Sequence, residues 1–132
     1  MRIRQVQGNT NIVVNDLQAD SRKVQKGSVF IAVRGVNADG HQFIEKAVQQ
    51  GAVAIVAEEL PSITDANLTW VQVENSAAAA GIMAHNFFGY PSEKIKLVGV
   101  TGTNGKTTIA TLLFKLFSAL GYKWGLLSTV QN

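Results

Sequence analysis

The run Thr101-Gly102-Thr103-Asn104-Gly105-Lys106-Thr107-Thr108 gathers residue types suited to one task, holding a chain of phosphates. Its glycines let the backbone wrap closely around an anion and turn amide N–H groups toward it. Lys106 can reach β- and γ-phosphates, and the Thr107 hydroxyl can ligate Mg²⁺. Two elements must position these groups. Leu97-Val98-Gly99-Val100-Thr101 predicts a strand entering the turn. Lys106 to Leu120 predicts a helix, with Ile109, Leu112, Leu113, Leu116, Phe117 and Leu120 at steps of three and four and Gly121 closing it. The helix N-terminus adds partial positive charge where the anion would sit. The general phosphate-loop pattern also wants a glycine at position 100, which is Val here, and Gly99 stands one place too early. Strand, turn and helix in the right order offset that departure. The plain alternative is a tight turn with a lysine at a helix start.

A second constellation lies nearer the N-terminus. Asp20-Ser21-Arg22-Lys23-Val24 is followed by Lys26-Gly27-Ser28-Val29-Phe30-Ile31-Ala32-Val33-Arg34-Gly35 and then by Asp39-Gly40-His41-Gln42-Phe43-Ile44. Ser21 and Asn37 could hydrogen-bond a base or ribose, and Arg22 or Arg34 could meet a phosphate. Turn chemistry is the competing explanation, with Asp39-Gly40 as a turn and Asp20 as a local cap. His41 is expected to order the turn or the helix start rather than act as a base. His85 is expected to be structural or to lie on the surface.

The surrounding elements alternate. Asn11-Ile12-Val13-Val14 is a weak strand candidate, and Ser28 to Val33 is a compact apolar run of the kind buried on both faces. A helix is expected from Phe43 to Gln50, closed by Gly51, and a strand from Ala52 to Ala57. Thr69 to Val73 reads as a strand. Asn75 or Ser76 can then cap a helix whose apolar face is expected at Ala77, Ala80, Ala84, Phe87 and Phe88. Gly89-Tyr90-Pro91-Ser92 marks the best boundary. Beyond the phosphate loop and its helix, Trp124 to Ser128 predicts one more strand. Phe114, Phe117, Tyr122 and Trp124 are expected to pack as core.

Composition narrows the classes. The chain has 132 residues, 46% hydrophobic and 16% charged, with a net charge of +3. That balance excludes a disordered tail. Scattered basic residues argue against a nucleic-acid partner. The absence of cysteine excludes disulfides, thiolate metal sites and a Cys nucleophile, and two distant histidines disfavour a His-rich metal site. No window approaches a membrane span, and the first seven residues lack the apolar core of a signal peptide. The expectation is an α/β protein of the cytoplasm with no membrane partner.

Thr-Gly-Thr-Asn-Gly-Lys-Thr-Thr resembles the ATP loop of the Mur ligases of peptidoglycan synthesis. The related folylpolyglutamate synthases usually continue their loop with Gly-Ser, where this chain has Thr107-Thr108. The N-terminal constellation resembles the first domain of the MurE and MurF members. Phe87-Phe88-Gly89-Tyr90-Pro91-Ser92, followed by Leu97-Val98-Gly99-Val100 and the loop, looks like the MurE type. MurF loops more often read Gly-Ser-Asn or Gly-Ser-Ser.

The resemblance implies a MurE/MurF-like α/β domain over residues 1–93. Residues 94–132 would begin a P-loop, parallel-sheet ATP domain with a strand, the loop, a helix and a strand. It implies contacts to the uridine diphosphate part of a substrate from Ala19, Ser21, Val36, Asn37 and Ala38. Gly102, Thr103, Asn104, Gly105, Lys106, Thr107 and Thr108 would hold ATP, with Lys106 catalytic and Thr107 on Mg²⁺. The implied reaction adds a diamino acid, diaminopimelate or lysine, to UDP-N-acetylmuramoyl-L-alanyl-D-glutamate through an acyl phosphate in bacterial cell-wall synthesis. The alternatives are a MurF-type ligase adding D-alanyl-D-alanine and a non-catalytic nucleotide-binding module. The chain is expected to be a truncated piece, inactive alone, of an otherwise monomeric enzyme. The Leu112, Leu113, Leu116 and Leu120 stripe is then expected to promote self-association.

Overall fold

The computed structural model describes residues 2–35, 38–62, 65 and 67–128. The chain divides into two compact units, Met1–Lys94 and Ile95–Asn132.

The first unit is built on a five-stranded sheet. Its strands are β1 (Ile3–Gln7), β2 (Asp16–Gln18), β3 (Ser28–Ile31), β4 (Ala54–Ala57) and β5 (Thr69–Val73), in the order β1-β5-β4-β3-β2. From β2 to β5 each strand pairs in parallel with the next, and β1 returns antiparallel along β5. Every residue of β3 and β4 is buried, so neither strand alternates. That is the pattern of a parallel sheet covered on both faces.

The two faces carry separate cores. Phe30, Ile55 and Trp70 lie in one cross-strand row. They pack with Ile44 and Ala47 of the helix α1 (Ile44–Gln49). On the other face Val29, Ile31, Ala54, Val56 and Val73 meet Ala79 of the helix α2 (Ser76–Phe87). Burying each large apolar side chain stabilises the unit by about 1.5–3 kcal/mol.

Capping follows the expected chemistry in part. Asn75 caps α2, its side chain accepting from Ala78 N–H at 2.7 Å. A 3-10 turn over Gly40–Phe43 leads directly into α1, so that helix begins one residue later than expected. Asp39 caps the turn, accepting from His41 N–H at 2.9 Å.

Several expectations fail. Asn11–Val14 forms no strand, and the partner of β3 is the short, polar-ended β2. Ile12 and Val14 instead pack against the Val29 core as loop residues. The buried face of α2 is Ser76, Ala79, Ala80 and Met83, whereas Ala77, Phe87 and Phe88 are exposed. Small side chains sit against the sheet because they allow close approach, and the bulky pair faces out. Leu97–Thr101 and Trp124–Ser128 also form no strands. A strand needs a neighbour for its backbone hydrogen bonds, and no described residue of the second unit offers one.

The second unit does contain the predicted helix, α3 (Lys106–Ala119), with Gly121 just past its end. Phe117 stacks on Trp124 at 4.4 Å between ring centroids and meets Tyr122 edge-on at 5.9 Å. None of its described residues is buried, and Leu112, Leu116 and Leu120 are more than half exposed. The aromatic group is therefore a local cluster on one helix end rather than core.

Candidate functional site

The candidate phosphate loop has the backbone its glycines predict. Gly102 has φ +145° and Gly105 has φ +74°, values that L side chains rarely adopt. Gly105 occupies the N-cap position, and its carbonyl accepts from Ile109 N–H at 2.9 Å. The first N–H groups of α3 have no partners within the helix, so they and the helix dipole face the loop. A side chain at Gly105 would meet nothing within 4 Å, so conformation rather than crowding selects glycine there.

Lys106 closes this arrangement. Its Nζ donates to Gly102 O and, at 3.3 Å, to Thr103 O. The ammonium thus lies across the turn, against its carbonyls. Thr107 follows as the next helical residue and is half-buried, while Thr108 is exposed. Thr103 and Asn104 are exposed on the turn. The loop presents one ammonium, backbone donors and hydroxyls, a donor set that fits a polyphosphate. For a cation it supplies the Thr107 hydroxyl. Among the described residues no group of three or more His, Asp or Glu side chains could hold a metal ion.

The second constellation collects at one edge of the sheet. Because β2 to β5 run parallel, the segments that follow them leave from the same edge. Ala19 and Ser21 follow β2, Ala38 lies on the loop after β3, Glu58 and Glu59 follow β4, and Ser76 follows β5. Open α/β sheets place ligands outside the carboxyl ends of their strands. Ser21 is buried at the start of a 3-10 turn (Ser21–Lys23), whereas Ala19 and Ala38 are exposed. Val36 and Asn37 lie outside the described residues.

Neither arginine is free for a phosphate. Arg22 makes a two-pronged pair with Asp20, Nε to Oδ1 at 2.9 Å and Nη2 to Oδ2 at 2.8 Å. The Arg22 side chain and then its backbone N–H hold the Asp20 carboxyl well below the usual carboxylate range. Arg34 donates to Glu59 Oε1 at 2.6 Å and lies 3.6 Å from both Glu58 and Asp39.

Both histidines have structural partners. His41 Nδ1 lies 2.7 Å from Asp39 Oδ1, and its Nε2 accepts from Glu58 N–H at 3.0 Å. Those partners assign the proton to Nδ1. His85 Nδ1 lies 2.9 Å from Ser92 Oγ, and its ring meets Tyr90 edge-on at 5.0 Å. The roles of Glu58 and Glu59 were missed by sequence reasoning. Their signal was position: two carboxylates directly after the apolar run Ala52–Ala57, hence at a strand's carboxyl end.

A family model described as "Mur ligase family, catalytic domain" matches residues 13–88. The chain belongs to the Mur ligase family. It is 60% identical, over 96% of its length, to a UDP-N-acetylmuramoyl-L-alanyl-D-glutamate--2,6-diaminopimelate ligase of Cytophaga hutchinsonii. It is 52% identical, over 95% of its length, to the ligase of the same name from Parabacteroides distasonis. In both cases it spans only 26% of the relative, about a quarter of that protein's length. Among solved structures, the MurF ligase of Thermotoga maritima in complex with ADP is similar at 32% identity and a TM-score of 0.56. That match covers 84% of this chain and 25% of that one. A MurF of Acinetobacter baumannii is similar at 25% identity and a TM-score of 0.57, over 81% of this chain and 23% of that one.

Proposed function

We propose that this chain is the UDP-substrate-binding and phosphate-loop segment of an ATP-dependent amide ligase acting in the cytoplasm on cell-wall precursors. The whole enzyme would add 2,6-diaminopimelate to UDP-N-acetylmuramoyl-L-alanyl-D-glutamate. The observation that carries this reading is the 60% identity across 96% of the chain to a ligase of that name. It also favours diaminopimelate over lysine and over the D-alanyl-D-alanine of a MurF, since the MurF structures stand at 24–32% identity.

The substrate carboxylate would attack the γ-phosphorus of ATP, forming an acyl phosphate and releasing ADP. The amine of the diamino acid would then attack the acyl carbon and expel phosphate. The part played by this chain is electrostatic. Lys106 exchanges its hydrogen bonds with Gly102 O and Thr103 O for phosphate oxygens, and the α3 N-terminus and loop amides, from Gly102 to Thr108, hold the rest of the anion. Mg²⁺, when bound through the Thr107 hydroxyl, supplies further charge neutralisation on the transferring group. Ala19 and Ser21, at the sheet's carboxyl edge, together with Val36, Asn37 and Ala38, would receive the uridine diphosphate part.

Calorimetric titration of the chain with ADP tests the loop. Wild type should bind, and Lys106→Ala should weaken binding about tenfold or more, equivalent to roughly 1.4 kcal/mol. Equal affinity in the two proteins would remove Lys106 from the phosphate site.

A further inference from the structure

The chain leaves α2 through a segment folded back on one histidine. Gly89 has φ +71°, and its N–H donates to Asn86 O at 3.2 Å. Tyr90 N–H donates to His85 O at 2.8 Å. These two bonds make the helix-closing motif in which a left-handed glycine doubles the chain back over the last turn. Tyr90 then takes the left-handed region as well, with φ 59° and ψ 53°. Among the described residues no other non-glycine has a positive φ. Pro91 follows, its ring fixing φ at the first position of a 3-10 turn (Pro91–Glu93). That turn closes through Glu93 N–H to Tyr90 O at 3.2 Å and Lys94 N–H to Pro91 O at 3.1 Å.

Side chains draw the same residues together. The His85 ring meets Tyr90 edge-on at 5.0 Å. Its Nδ1 lies 2.9 Å from Ser92 Oγ and its Nε2 3.7 Å from Glu93 Oε1. One ring on the last turn of α2 thus touches Tyr90, Ser92 and Glu93. Residues 90–94 are all exposed, so burial does not hold the segment. A bulky residue in a sparsely populated conformation persists only where its surroundings over-determine it. His85 supplies those surroundings.

We propose that residues 89–94 form a stiff elbow, clamped on His85, that fixes the direction in which the chain leaves the first unit. Glycine and proline side by side ordinarily mark a loose joint, and the sequence places its clearest break there. The elbow moves the first free joint beyond Lys94, where the two compact units divide. The device needs no ligand and no core: one helix end, one left-handed pair and one imidazole make it.

The test is amide relaxation and hydrogen exchange by NMR on the 132-residue chain. In wild type the order parameters of Tyr90, Ser92, Glu93 and Lys94 should match those of α2, about 0.85, and not the values below about 0.6 of a flexible linker. His85→Ala should lower them and speed exchange at Tyr90 N–H about tenfold, the scale of one or two lost hydrogen bonds, while Val56 N–H stays protected. Tyr90→Gly separates the clamp from the turn. Glycine adopts the left-handed region freely, so a turn held by its backbone alone would stay as ordered or become more so. Loss of the ring on His85 should instead loosen residues 90–94. Ser92→Ala, at an exposed position that cannot unsettle the sheet, should speed exchange at Lys94 N–H about threefold. Asn86→Ala, exposed on the same helical turn, should behave as wild type. Linker-like order parameters in wild type overturn the elbow. Wild-type order in both His85→Ala and Tyr90→Gly overturns the clamp on His85.

Discussion

The two units divide the properties usually found together in one domain. Met1–Lys94 holds the five-stranded sheet and both cores, yet its candidate binding residues are ordinary in type. Ile95–Asn132 holds the sharper chemical signature, yet none of its described residues is buried. A phosphate loop needs two glycine conformations and one helix start, all set within a few residues. A core needs partners distant in sequence. Local geometry of the first kind can therefore form where packing is sparse.

Core deletion gives the largest expected contrast. Phe30→Ala, at a fully buried position, should destabilise the first unit by about 3–5 kcal/mol in urea unfolding. Leu116→Ala, at a position 54% exposed, should stay within about 0.5 kcal/mol. Comparable losses at the two positions would erase the distinction between the units.

Glycine substitution sharpens it next. Gly8 has φ +89°, and a Cβ there would stand 2.4 Å from Leu68 O, so Gly8→Ala should cost more than the about 1–2 kcal/mol of left-handed strain alone. Gly105→Ala meets only the strain, because the space beside it is open. Its effect should appear in ADP affinity and leave the melting of the first unit unchanged. Loss of the α2 cap follows, with Asn75→Ala lowering the stability of the first unit by about 1 kcal/mol in the same urea assay.

Acid should produce the smallest and most one-sided effect. The Ser76 backbone and hydroxyl hold the Glu58 carboxyl below its ordinary range, and the His41 backbone and ring do the same for Asp39. A depressed folded-state pKa contributes stability above the unfolded value, and that stability is lost as pH falls through the folded one. The thermal midpoint of the first unit should therefore fall as pH drops below the ordinary carboxylate range, near 4. Glu58→Gln should flatten that slope, and an unchanged slope would remove Glu58 from the acid response.

What could be read in advance follows the same division. β3, β4 and β5 announced themselves as apolar runs bounded by turn residues, and α3 by its leucine spacing. β1 and β2 did not, because edge strands carry polar and charged residues and β2 is only three residues long. Leu97–Thr101 and Trp124–Ser128 had the apolar character of strands without a neighbour to pair with. Apolar pattern records what a segment is able to bury, and pairing depends on what else is present. In the candidate site, the loop glycines and Lys106 were legible because their geometry is local. The tie from Arg34 to Glu59, 25 residues away, was not, because only the parallel sheet brings those ends together.

The sheet's order also sets how far along the chain each pairing must reach. Its parallel pairs join residues close along the chain, such as Asp16 with Ser28 and Ala54 with Thr69. β1 instead pairs with the last strand, Ile3 meeting Val73. Closing that loop costs about 1.4 kcal/mol more entropy than closing the one between β4 and β5. The pairing of β1 with β5 is therefore the sheet's longest-range contact along the chain, and it seals the edge of β5 that the parallel pairs leave open.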